Sequence, residues 1–167
     1  FNYQMYGMLI GGIFWGILGD KKGRLSVLFG SIFLYSTANV LNGMITSVEQ
    51  YKILRFIAGF GLAGELGAGI TLVSESMSKE KRGYGTTIIA SVGVIGAVVA
   101  SAFSHKFDWR INYYIGGAMG FALLIMRIGV AESGMYKQLA QKEKVSKGNI
   151  LMLFRNMTTF SKYFSVI

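Results

Sequence analysis

No cysteine occurs among the 167 residues, so the chain can hold neither a disulfide framework nor a thiolate metal site. A single histidine, His105, is too few for a paired-histidine zinc motif or a histidine relay. Proline is missing as well, which is unusual in so apolar a chain, because membrane helices commonly carry a few. Charge is scarce: 15% of residues are Asp, Glu, Lys or Arg, against about 25% in soluble proteins. What charge remains is one-sided, with 17 Lys and Arg against 8 Asp and Glu. The net charge of +9 does not point to nucleic acid, because the basic residues fall between apolar spans and form no single stripe. Nor can a nucleophile, base and orienting-acid set be assembled at membrane depth, so the chain does not read as an enzyme.

What the chain does contain is apolar and small. Its hydrophobic fraction is 52% with 23 glycines, and the mean hydropathy is +0.46. The organising stretch runs from Arg55 to Arg82, RFIAGFGLAGELGAGITLVSESMSKEKR. Between Arg55 and Glu75 its only charge is Glu65, ten positions from each. At 1.5 Å rise per residue that is about 15 Å either way, near the middle of a hydrocarbon core about 30 Å thick. A carboxylate there costs roughly 2.5 to 3.5 kcal/mol. Glu65 is therefore expected to pair, to be protonated, or to face the bundle interior or a water-filled cavity, as either a proton or substrate site or a hydrogen-bonded structural group. Gly59, Ala63 and Gly67 share one face of this helix, with Gly61 and Gly64 nearby, which suits close packing and leaves space beside Glu65.

The hydropathy pattern predicts an all-α polytopic membrane protein with five transmembrane helices, at about 3–19, 25–46, 52–77, 84–104 and 110–131. In the first, Gly7 and Gly11, then Gly12 and Gly16, have the four-residue spacing of close helix contacts. Asn39 and Asn42 are the second span's only amides and are expected to hydrogen-bond a neighbouring helix. The fourth carries a small-residue stripe of Gly93, Ala97 and Ser101, and the fifth is bracketed by Arg110 and Arg127, both expected to snorkel to the interfaces. Residues 132–157 read as a basic loop with an amphipathic helix, and 158–167 as the start of a further span. The chain begins at Phe1 and stops in the apolar FSKYFSVI, so a longer native polypeptide is expected.

Thirteen of the 17 Lys and Arg residues fall on one side of this topology, in the loops at 20–25 and 78–83 and in 127–162. The positive-inside rule makes that side cytoplasmic in a multi-pass cell (inner) membrane protein. The first span then runs inward, which calls for at least one helix before it.

Gly16-Ile17-Leu18-Gly19-Asp20-Lys21-Lys22-Gly23-Arg24 closely resembles the loop between the second and third helices of the major facilitator superfamily, G-x-x-x-D-(R/K)-x-G-R. Leu25 stands where the family often has a further basic residue. The chemistry accounts for the spacing. Gly16 and Gly19 admit a neighbouring helix, Gly23 allows a tight turn, and Asp20 and Arg24 can share charge-assisted hydrogen bonds at helix ends. Arg55-x-x-x-Gly59-x-Gly61-x-x-Gly64-Glu65 is similar to the fourth helix of the family's metabolite:proton symporters. Glu75 through Arg82-Gly83 resembles the cytoplasmic E-x(6)-R-G that follows it. Trp109-Arg110-Ile111 and Glu132-Ser133 look like the opening and the end of the sixth helix, with Asn112 and Gly134 where the family usually has proline.

The resemblance spans essentially the whole chain and implies part of the N-terminal six-helix bundle, helices two to six of a twelve-helix fold. It implies alternating access by two half-bundles, with Gly16, Asp20, Gly23, Arg24, Glu75 and Arg82 as a conformational latch. Proton-coupled symport of a small polar or anionic metabolite is the leading expectation, with Glu65 and Arg55 as the proton and substrate coupling residues. No cofactor is implied; the coupling ion is a proton, with sodium the other candidate. The partners implied are a small-molecule substrate, the lipid bilayer and the remaining helices of a full-length transporter. An efflux antiporter is disfavoured, because the G-P motif of such proteins is absent beside Gly93 and Gly96. A membrane receptor or a non-transporting scaffold with the same fold is the reading from another class.

Overall fold

The computed structural model describes residues 2–132, apart from the side chains of residues 75, 76 and 129–132. The basic loop and the further span expected at 132–157 and 158–167 lie, from residue 133 on, outside the described residues. Every regular element among the described residues is an α-helix: α1 (Tyr3–Lys22), α2 (Arg24–Met44), α3 (Val48–Ser76), α4 (Arg82–Ser104) and α5 (Trp109–Glu132).

Helix ends follow from local chemistry. Gly23 has φ +88°, a conformation that a side chain strains. Its N–H still bonds the Gly19 carbonyl at 3.0 Å, so α1 stops and α2 starts within one residue. Ser47 caps α3 by accepting the Gln50 N–H at 3.3 Å, while Gln50 Oε1 accepts the Thr46 N–H at 3.0 Å. This reciprocal cap starts α3 at Val48, four residues before the apolar run suggests. At the far end of α2, Arg110 of α5 donates to the Ile45 carbonyl at 3.1 Å and satisfies an acceptor the helix itself leaves free. Arg110 thus ties α5 to the end of α2 besides any interfacial role.

α1, α3 and α5 run one way, α2 and α4 the other, so the turn at Gly23 and the link at 77–81 share one end, the basic end. α3 lies between α1 and α2, and α5 packs on the remaining side of α2. The core is therefore centred on α2, where Val27, Ile32, Ser31, Ser36 and Asn42 are buried. α1 meets α3 where glycine removes the barrier: a Cβ on Gly7 would run into the Phe56 carbonyl, and one on Gly59 into that of Gln4. By contrast Gly12 and Gly16, which share the same spacing, have open space beside them, so only half of the expected glycine face makes the close contact. The two helices open apart toward the basic end, and the indole of Trp15 fills part of the gap, with its N–H on the Phe60 carbonyl at 2.8 Å.

Asn39 and Asn42 correct the expectation of interhelical bonds. Each donates to its own helix, to the Tyr35 carbonyl at 3.1 Å and the Ala38 carbonyl at 2.9 Å. A short amide on a helix reaches the carbonyl four residues back without crossing to a neighbour. Four helices, α2 to α5, are long and apolar enough to cross a membrane. α1 is lowered in hydropathy by Gln4, its tyrosines and the Asp20-Lys21-Lys22 end, but lies along α3. This is a multi-pass membrane protein. α4 is peripheral, with Gly85 its one buried residue, seated against Met77.

Candidate functional site

The site begins with a separation. α3 and α5 run in the same direction on two sides of α2, and no backbone contact joins them among the described residues. Long side chains cross between them at two levels. Glu65 Oε1 on α3 accepts from Arg127 Nη2 on α5 at 2.9 Å. Toward the other end, the Tyr51 and Tyr113 hydroxyls stand 3.4 Å apart. Both pairs are separated by 62 positions. The levels are thus 14 residues apart on each helix, about 21 Å at 1.5 Å per residue.

Sequence places Arg127 at the interface as a snorkelling anchor, and the structure corrects this. Its guanidinium turns along the bundle to Glu65 because an isolated carboxylate in apolar surroundings is the stronger attractor. The pair is half-enclosed, with 31% of the Arg127 and 23% of the Glu65 side chain exposed. Its geometry is one-armed. Arg127 Nη1 is buried and has no hydrogen-bond partner among the described residues. A guanidinium presents a fork that matches both oxygens of a carboxylate, so this arrangement leaves one tine unused. The signal for the pairing was in the sequence only as the equal offset of two tyrosines and two opposite charges on helices of the same direction. Glu65 also lies inward of the middle of α3, 17 positions after Val48 and 11 before Ser76, because the cap at Ser47 lengthens the opposite end.

Arg55 is not brought to Glu65. Its guanidinium lies over the rings of Tyr51 and Tyr113, at 5.6 and 5.5 Å from their centroids, and belongs to the tyrosine level. Cation–π contacts of this kind hold about 0.5 to 2 kcal/mol each, more as water is excluded. Arg55 therefore braces α3 against α5 in this structure.

At the basic end, Asp20 Oδ1 and Arg24 Nη2 are paired at 2.9 Å across the Gly23 turn. Gly19 is confined by that same arginine, since a Cβ there would stand 3.0 Å from Arg24 Nη1. Gly16 does not admit a neighbouring helix; with Trp15, Arg24, Gly64 and Thr71 it lines a cavity of about 130 Å³. Arg82 donates from Nε to the Met77 carbonyl at 3.3 Å, closing the turn before α4. The Glu75 side chain is outside the described atoms, so the structure joins two members of the expected latch, Asp20 and Arg24. No group of three or more His, Asp or Glu residues is placed to hold a metal among the described residues.

A family model described as the Major Facilitator Superfamily matches residues 3–165. The chain is similar to the niacin transporter NiaP of Acinetobacter baylyi, 32% identical over 134 residues covering 78% of this chain and 30% of that protein. It is similar also to the benzoate transport protein of the same organism, 31% identical over 152 residues, 86% of this chain and 32% of the relative. The sialic acid transporter NanX of Escherichia coli is 29% identical over 150 residues, 87% and 36% respectively. The chain spans about a third of the length of the curated relatives it matches. These relatives are transport proteins, not enzymes.

Proposed function

Since the chain belongs to the major facilitator superfamily, we propose that it forms part of a secondary transporter that takes up a small polar or anionic metabolite together with protons. The observation that carries this reading is Glu65: the one charge of α3 between Phe56 and Ser74, partly enclosed and held by a cation from another helix. An ionisable group at such depth is expensive to maintain unless it is used. A carboxylate that can be protonated from one side and deprotonated to the other links proton flow to the state of the bundle. Relatives named for benzoate and sialic acid, both organic acids, and for niacin support a small organic substrate. The basic end, with Asp20 and Arg24 paired across the turn, is on this reading the cytoplasmic side of a cell membrane and acts as a latch, a role to which Glu75 and Arg82 are also assigned. A proton is the favoured coupling ion and sodium the other candidate, the carboxylate serving either.

The test is Glu65→Gln in the full-length transporter reconstituted in liposomes. Accumulation driven by an acid-outside gradient is expected to be lost while exchange of substrate across the membrane persists. Gradient-driven accumulation by the variant overturns the assignment. Replacing external sodium with choline separates the two coupling ions.

A further inference from the structure

We propose that Arg127 is the residue that receives the carboxylate of the transported substrate, and that protonation of Glu65 is what makes it available. This rests on the coupling role given to Glu65 above and adds the substrate class, the binding group and the stoichiometry.

The argument starts from the unsatisfied tine. Arg127 Nη2 is held by Glu65 Oε1, whereas Nη1 is buried without a partner. Burying a guanidinium N–H unpaired is costly. A second carboxylate approaching the fork would satisfy it, but not while Glu65 is ionised, because two carboxylates on one cation leave a net negative charge in a poorly hydrated place.

The other charges of the described helices are few: α1 has none before Asp20, α2 none after Arg24, α4 none beyond Arg82, and α5 has Arg110 and, five positions past Arg127, Glu132. On α3 the other charges are Glu49, Lys52 and Arg55 toward one end and Glu75 toward the other. The tyrosines of these helices add neutral hydroxyls, of which Tyr51 and Tyr113 are engaged with each other. When Glu65 takes a proton it ceases to neutralise Arg127, and the half-enclosed guanidinium is left with an unmatched positive charge. A substrate carboxylate matches its fork in both charge and geometry.

The cycle then balances. A proton from outside binds Glu65 and one monoanion binds Arg127, so the loaded site has the same net charge as the empty ion pair. Release of the proton inside restores the Glu65–Arg127 bond and expels the anion. Transport is electroneutral, one proton with one carboxylate, and the empty carrier can return without moving net charge.

The experiment uses the full-length transporter in liposomes, with radiolabelled benzoate and nicotinate as carboxylate probes and nicotinamide as a neutral probe of nearly the same shape. Exchange at equal internal and external pH reads binding and translocation without net proton flow. The wild type is expected to exchange at least one carboxylate and not nicotinamide, and its proton-driven accumulation should not respond to an imposed membrane potential. E65Q should keep carboxylate exchange, because Arg127 is left free. E65Q/R127Q, which removes both charges and so leaves neither stranded, should lose exchange by about tenfold or more, the worth of a charged hydrogen bond. R127K should fall between, as a cation without a fork.

Equal exchange by E65Q/R127Q and E65Q overturns the assignment of Arg127; if E65Q has meanwhile lost accumulation, the coupling role of Glu65 stands on its own. Accumulation by E65Q overturns that role instead. Exchange of nicotinamide as fast as nicotinate, or of neither carboxylate, overturns the substrate class, and a response to membrane potential overturns the stoichiometry.

Discussion

The indole of Trp15 on α1 lies against the bare Cα of Gly64 on α3, where a Cβ would stand 2.6 Å from ring atom Cγ. One turn earlier on α3, the Phe60 carbonyl accepts the indole N–H at 2.8 Å. The residue next to Gly64 is Glu65, so this contact sets the position of the helix turn that carries the carboxylate. Gly64→Ala forces the ring aside and should cost about 1 to 3 kcal/mol, the usual penalty for overpacking. Trp15→Phe gives up the hydrogen bond and some volume, at about 1 to 2 kcal/mol. Phenylalanine keeps a ring Cγ at the same place, and Ser31 Cβ stands equally near at 2.6 Å, so the double variant should lose about as much as the two singles combined. Thermal unfolding of the purified full-length protein in detergent, followed for all four versions, reads the difference.

The glycines of α1 give a contrast within one helix. Gly7 and Gly11 meet backbone atoms of Phe56 and Phe60, which cannot step aside as a side chain can. Alanine at either position should lower stability by roughly 1 to 3 kcal/mol, because the helix axes must separate. Gly12 faces open space, and Gly12→Ala should be neutral or slightly stabilising, by up to about 1 kcal/mol from helix propensity. A Gly12→Ala variant that unfolds as early as Gly7→Ala would show that this face meets a further helix in the full-length protein.

These outcomes also mark where sequence was legible. The all-α membrane architecture, and the family, follow from long apolar runs and from the turn at Asp20 to Arg24, features fixed by local chemistry. Four-residue glycine spacing showed that one helix could approach closely but not which pair did so, since Gly12 and Gly16 share that spacing and face open space. The cap at Ser47 is two polar side chains on two backbone N–H groups, and so is easily passed over beside an apolar run. Glu65 stood out because its cost is set by depth alone. Its partner did not, because Arg127 lies 62 positions away and becomes a neighbour only once α2 has set α3 and α5 in register.

The Gly23 turn gives a third prediction. A residue with φ +88° is strained by any side chain, so Gly23→Ala should cost about 1 to 3 kcal/mol and disturb the start of α2. Asp20→Asn removes a partly exposed pair and should cost no more than about 1 kcal/mol of stability. The two variants separate geometry from charge. If the pair acts as a latch, Asp20→Asn should slow transport far more than it lowers the melting temperature, and the size of the effect on transport should shrink as salt rises.

The last prediction concerns the stability of the Glu65–Arg127 pair, apart from any role in transport. Removing one partner of a half-enclosed ion pair leaves a charge with poor solvation, so Arg127→Gln and Glu65→Gln should each destabilise the protein by about 2 kcal/mol, between the values for exposed and buried pairs. Replacing both partners removes the stranded charge, and the double variant should recover a kcal/mol or so relative to the sum, a coupling of about 1 to 2 kcal/mol. Melting temperatures of the four proteins measure it. Simple additivity would mean that the two side chains meet without holding each other, and that α3 and α5 are kept in register by α2 and the tyrosine level instead.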